Sequence, residues 1–224
     1  MGQIITRALA AVVLAGALSA CEGGGAGQHL TPVPTPQPQQ AIALALRTAR
    51  TSAGYTVTMT GHNFLLPRWG GIDGATLRVA TNGAAVSGSV DRTGDGSYDV
   101  LFTGGQTFFQ RSTCDHQTRV PGGGANVFTP FLIASNGDLE RATDLAYVQP
   151  TVDTAVAIKG RFGDLGVAVI ELDARTYEPR RLAIGRDPAS GTEAVWLFTD
   201  WGRAPDVQPP HAPIPDNGPG GNPC

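Results

Sequence analysis

Cys114, Asp115 and His116 are the one place where a thiol and an imidazole stand close together in this sequence. A Cys nucleophile needs its His base within hydrogen-bond reach in space, and adjacency along the chain does not supply that geometry. There is no Gly-x-Ser-x-Gly elbow, no His-Glu-x-x-His pair and no P-loop. His29 and His211 fall in apparent tails, which leaves His62 and His116 as a thin supply for a Ser-His-Asp triad. Asp91-Arg92-Thr93-Gly94-Asp95-Gly96-Ser97-Tyr98-Asp99 spaces oxygen side chains as a calcium loop does, with glycines for the tight turn. Its twelfth position is Phe102 rather than Glu, and strand patterns flank it, so a hairpin turn is the expectation. Trp69, Trp196 and Trp201 could form a carbohydrate platform, but two of them lie in or beside an expected closing strand, where core packing is expected instead. No catalytic residue, metal or cofactor is expected, and the chain reads as non-enzymatic.

The remaining chemistry is at Cys21. Arg7 precedes a run of small and apolar residues, Ala8 to Leu18, of signal-peptide length and too short to span a bilayer. The run ends in Leu18-Ser19-Ala20-Cys21, which resembles the bacterial lipobox. That resemblance implies lipidation of the Cys21 thiol, with a diacylglyceryl group and palmitate-like chains, and removal of residues 1–20. Acyl chains hold a protein at a membrane by about 0.8 kcal/mol per buried CH₂. The expected location is the extracytoplasmic face of the cell membrane. Cys114 and Cys224 then remain in a compartment where disulfides persist, and a bond between them is one option; two unpaired thiols are the other. Two Cys cannot supply a structural zinc site.

The net charge of −3 gives no electrostatic case for nucleic acid. Residues 21–40 hold the lipidated Cys and a Gly, Pro, Gln and Thr segment too poor in apolar residues to fold, which reads as a disordered tether. Residues 203–224 are rich in Pro and Gly and read as a disordered tail. Between them, 41–202 is one domain of ordinary size. Good helix formers at 41–50 place Ile42, Ala45, Leu46 and Ala49 on one face, and Gly54 follows as a stop. The period then becomes two: Tyr55, Val57 and Met59 alternate with threonines, and further strands are expected around Leu77 and Val79, at 86–90, 98–103 and 107–112. Residues 126–136 have the spacing of a short apolar helix, and 138–148 fit either a helix or a strand. Strands resume at 152–160, 166–173, 180–185 and 193–200.

A helix, a meander, an apolar helical insertion and more strands, in that order, resemble the LolA-like superfamily, and within it the actinobacterial glycolipid-binding lipoproteins. The residues that carry this are Val169-Ile170-Glu171-Leu172-Asp173 with Thr176, Pro179, Arg181 and Leu182, which resemble the family's strand, turn and return strand. Val195 to Gly202 resembles the closing strand, and 41–50 followed by Tyr55 to Thr58 resembles the opening. The resemblance implies an α+β fold, a curved antiparallel half-barrel sheet with helices on its concave side. It also implies an apolar cavity for the acyl chains of a lipid or glycolipid, which the protein carries or presents, with an envelope transport protein as a possible partner.

The cavity lining expected on this basis is Tyr55, Val57, Met59, Leu77, Val79, Val100, Phe102, Phe108, Val156, Ile158, Val167 and Val169, with Phe128, Phe131 and Leu132 from the insertion. Every one of them is also at home as a plain core residue. Several later strands are apolar on both faces, so alternation leaves the concave side open. The competing reading is an envelope scaffold or interaction lipoprotein with the same fold and a filled core.

Overall fold

The computed structural model describes residues 35–66, 69–80, 83–115, 117–120, 128, 131, 133, 137–185, 191–211 and 214–215. Helix α1, Pro38–Thr51, is the first described element. Pro38 sits in its first turn, where a missing N–H costs nothing. The Gln37 N–H donates to Gln40 Oε1 at 3.1 Å, one half of a capping box. Its buried stripe is Ala41, Ile42, Ala45, Leu46 and Ala49. The Ser52 N–H closes the end on the Thr48 carbonyl at 3.1 Å.

Seven strands follow: β1 (Gly54–His62), β2 (Leu65–Leu66), β3 (Gly70–Ala80), β4 (Ala85–Arg92), β5 (Gly96–Thr103), β6 (Gln106–Arg111) and β7 (Thr118–Val120). A short helix, α2 (Gly137–Glu140), precedes β8 (Thr143–Val148), β9 (Ala155–Arg161), β10 (Val167–Asp173), β11 (Pro179–Ile184), β12 (Glu193–Thr199) and β13 (Ile214–Pro215). The ambiguous stretch 138–148 is therefore helix first and strand second. The strands form one large, open, curved sheet in the order β13-β7-β6-β5-β4-β3-β1-β12-β11-β10-β9-β8, with β2 beside β3. All its neighbours run antiparallel except β13 and β7. The expected meanders are present, and the closing strand β12 joins them by pairing with β1.

Two expectations about the ends change. The helix starts at Pro38, inside the segment read as tether. Ile214–Pro215, inside the segment read as a disordered tail, pairs in parallel with Thr118 and Arg119 of β7. The tail is polar, but an open sheet edge offers unpaired backbone groups that any extended segment can satisfy.

One row of side chains shows how the core is built. Tyr98, Val90, Ala75, Met59, Trp196, Leu182, Ile170 and Ile158 are successive cross-strand partners from β5 to β9. Each is buried. The buried stripe of α1 belongs to the same hydrophobic cluster. Burying a large aliphatic or aromatic side chain contributes about 1.5–3 kcal/mol, so this single face dominates the stability of the domain.

Candidate functional site

The apolar face of the sheet is the candidate site, and β1 is its axis. Tyr55, Val57 and Met59 point into the cluster, flanked by Val79, Leu77 and Ala75 of β3 and by Phe198 and Trp196 of β12. Phe128, Phe131 and Ile133, from the insertion, are buried in that same cluster. Trp69 organises the contact: its ring centroid lies 5.2 Å from Phe109, 5.8 Å from Phe128 and 6.4 Å from Phe131. Phe102 meets Phe128 at 5.9 Å. Such aromatic pairs add about 0.5–1.5 kcal/mol each beyond the area they bury.

One polar group fastens the insertion. The Tyr55 hydroxyl donates to the Phe131 carbonyl at 2.6 Å and accepts the Ile133 N–H at 3.0 Å. The one hydroxyl thereby ties two backbone groups of the insertion to β1. Burial raises the Tyr55 pKa well above the ordinary phenol value, while the Ile133 N–H pulls the other way, so the hydroxyl stays neutral and keeps its donor. Two polar atoms are buried and unpartnered among the described residues of this region, the Trp196 indole Nε1 and the Thr107 hydroxyl.

The structure brings most of the expected lining together. Tyr55, Val57, Met59, Leu77, Val79, Val100, Phe102, Ile158, Phe128 and Phe131 all lie in the cluster, and Val156 is half-buried against it. Leu132 lies outside the described residues.

Three positions need correction. Val167 and Val169 pair with Arg161 and Lys159, so they share the outer face with two cations, and Val167 is 49% exposed. The inner positions of β10 are Ala168, Ile170 and Leu172. Phe108 is buried, but it pairs with Leu101 on the outer side, while Phe109 pairs with Val100 and packs on the cluster. In each case two adjacent apolar residues compete for one face, and only the cross-strand partner decides between them.

Trp69, Phe64 and Trp196 also belong to the cluster, although the expected lining did not include them. Trp69 and Phe64 sit beside short or irregular pieces where period two is too brief to read. All three tryptophans are engaged in ring packing, which was expected for Trp196 and Trp201 at the closing strand. The calcium-like segment is the β4–β5 hairpin. There the Asp95 carboxylate takes Arg92 at 2.7 Å and the Tyr98 hydroxyl at 2.9 Å, while Arg111 donates to the Asp95 carbonyl at 2.8 Å. Among the described residues no three His, Cys, Asp or Glu side chains stand close enough to hold a metal. Cys114 follows β6, and its carbonyl accepts from Gln110 Nε2 at 2.8 Å. Cys21, His116 and Cys224 lie outside the described residues.

Neither a family model nor a curated protein matches this sequence. Solved structures do match it in shape. The Mycobacterium tuberculosis lipoprotein LppX aligns with a TM-score of 0.59 over 76% of this chain and 98% of its own, at 13% identity. LprF from Mycobacterium bovis aligns with a TM-score of 0.56 over 80% of this chain and 99% of its own, at 17% identity. The fold is LolA-like. At these identities the likeness is one of architecture: the LolA-like sheet is kept while most of its side chains differ. No described helix of this chain is long and apolar enough to cross a membrane.

Proposed function

We propose that this chain is an envelope lipoprotein, anchored outside the cytoplasm through Cys21, that binds the acyl chains of a lipid or glycolipid on its apolar sheet face. It carries or presents them without covalent chemistry. The observation that carries this reading is the contact between that face and the insertion. A continuous apolar surface is covered by Phe128, Phe131 and Ile133, and one hydroxyl, that of Tyr55, ties the cover down. Parting the two surfaces exposes apolar area at about 25 cal/mol per Å². An acyl chain that took the place of water there would recover that free energy. The LolA-like fold, shared with the lipoprotein LppX, supports the same reading. The proposed protein partner is an envelope transport protein that supplies or receives the lipid.

Native mass spectrometry of the mature chain, with extraction of bound lipid, tests the proposal. Val156→Arg should abolish binding of a fluorescent acyl probe, because Val156 packs against the cluster. Val167→Arg should leave binding intact, because that side chain points outward. A wild type that binds no lipid of several classes would leave the interaction-lipoprotein reading in its place. Cys21→Ser should release the chain from the membrane fraction or stall it as a precursor. The Cys114–Cys224 disulfide stands as part of the proposal, and peptide mapping without reductant would show two free thiols if it is wrong.

A further inference from the structure

The opposite face of the same sheet carries a second, polar site. On the outer side of β1, β3, β4 and β5, an open groove of about 460 Å³ runs across the strands. That volume is within the range of about 300–1,000 Å³ found for small-ligand sites. The pairing register lays its lining out in two rows. Thr56, Arg78 and Ser87 are cross-strand partners in one, and Thr76, Ser89 and Asp99 in the other. Asp200, immediately after β12, closes one end. Gly88 lies between the two rows. Its φ is +150°, and a Cβ there would lie 2.0 Å from the Thr76 carbonyl oxygen, so only glycine lets β3 and β4 approach this closely.

The charges in the groove are uncommitted. Arg78, Asp99 and Asp200 make no side-chain hydrogen bond or ion pair with their neighbours. Arg92, Arg180 and Arg181, elsewhere on the sheet, each hold a carboxylate instead. One cation and two carboxylates disfavour an anion. The same guanidinium, and the lack of a third carboxylate, disfavour a bare divalent cation. No large apolar or aromatic side chain lines the groove, so an apolar ligand gains little. A neutral ligand dense in hydroxyls suits it instead. Such a ligand can donate to two free carboxylates, accept from a free guanidinium, and do either with four Ser and Thr hydroxyls. Charge-assisted hydrogen bonds of this kind are the strong ones.

We propose that this outer groove binds a neutral oligosaccharide, independently of the apolar face. Without an aromatic platform the affinity is low and selectivity comes from hydroxyl geometry. The test is NMR titration of the full mature chain with maltotriose and cellotriose, and with trigalacturonate as the anionic counterpart. The amides of Thr56, Thr76 and Ser87–Ser89 should shift on titration with at least one neutral trisaccharide. Asp99→Asn and Arg78→Gln, both exposed and remote from the core, should each weaken that binding about tenfold, as expected for a charged hydrogen bond. Unchanged core shifts in each variant verify the fold. The proposal is overturned if neither neutral sugar moves these amides at tens of millimolar. It is also overturned if both variants bind as the wild type does, or if trigalacturonate binds in preference.

Discussion

The two halves of the sheet solve the same packing problem with different outer surfaces. In β1, β3, β4 and β5 the inner positions are mostly apolar, and the outer ones are mostly Thr, Ser, Arg and Asp. In β9 to β12 the inner positions are again apolar, but the outer ones include Ala157, Val169, Ala183, Val195 and Leu197. The outer face of this second half also buries a carboxylate. Glu171 is 3% exposed, paired with Arg181 at 3.4 Å and accepting the Thr151 hydroxyl at 2.6 Å. A buried charge is tolerated only with such partners. The first half is thus a one-sided sheet with a wet back, and the second is apolar on both sides with an ion pair set into its back. Period-two patterning identifies the inner face in the first half and is silent in the second.

The sharpest way to break this contrast is to truncate both sides of β10. Ile170→Ala removes a fully buried side chain from the row that crosses the sheet, and should cost about 2–5 kcal/mol. Val167→Ala, three residues earlier and on the outer side, should stay within about 0.5 kcal/mol. Urea denaturation of the two variants measures the difference directly. Equal losses would mean that the outer face of the second half is packed as tightly as the inner one.

The next effect concerns the first half, where the insertion is fastened. Tyr55→Phe keeps the ring packed on Trp201 and Phe198 but removes the hydrogen bonds to the Phe131 carbonyl and from the Ile133 N–H. It should cost about 1–3 kcal/mol. Amide hydrogen exchange at Ile133 should speed up far more than exchange at Ile158 across the sheet. Uniform acceleration at both positions would show that the hydroxyl supports the whole core rather than the cover.

What could be read from the sequence follows the same division. Helix α1 and the order of strands were legible because caps, turns and alternation are local properties. The inner face of β1, β3 and β5 was legible because Thr, Arg and Asp mark the outer side. Val167, Val169 and Phe108 were placed on the wrong face because Val-Ala-Val-Ile and Phe-Phe carry no such mark, and register is set by strands distant in sequence. The Tyr55 latch was invisible for a related reason: its partners are 76 and 78 residues away and are backbone groups, which no side-chain pattern announces. The pairing of Ile214–Pro215 with β7 is again a backbone match, made by a segment whose composition argues against structure.

The smallest effect lies at the turn after β10, which resembled a family turn in sequence and proves to be built on one carboxylate. Asp173 Oδ1 accepts the N–H of Arg175 at 2.8 Å and of Thr176 at 2.9 Å, and Arg180 pairs with Oδ2. The Thr176 N–H, foremost, holds the Asp173 pKa below its ordinary value; desolvation opposes it, and the Arg175 N–H and Arg180 reinforce it. The folded protein therefore prefers ionised Asp173 more strongly than the unfolded chain does. The resulting stabilisation is complete above the unfolded pKa of about 3.9 and fades as pH falls through the lower folded value. Asp173→Ala should cost about 1–2 kcal/mol near neutrality, since the carboxylate is partly solvated and its hydrogen bonds are charge-assisted. The gap between wild type and variant should narrow as pH drops below about 4. Urea midpoints measured across that range decide the matter. A gap that stayed constant into strong acid would mean that the turn depends on the shape of the Asp173 side chain rather than on its charge.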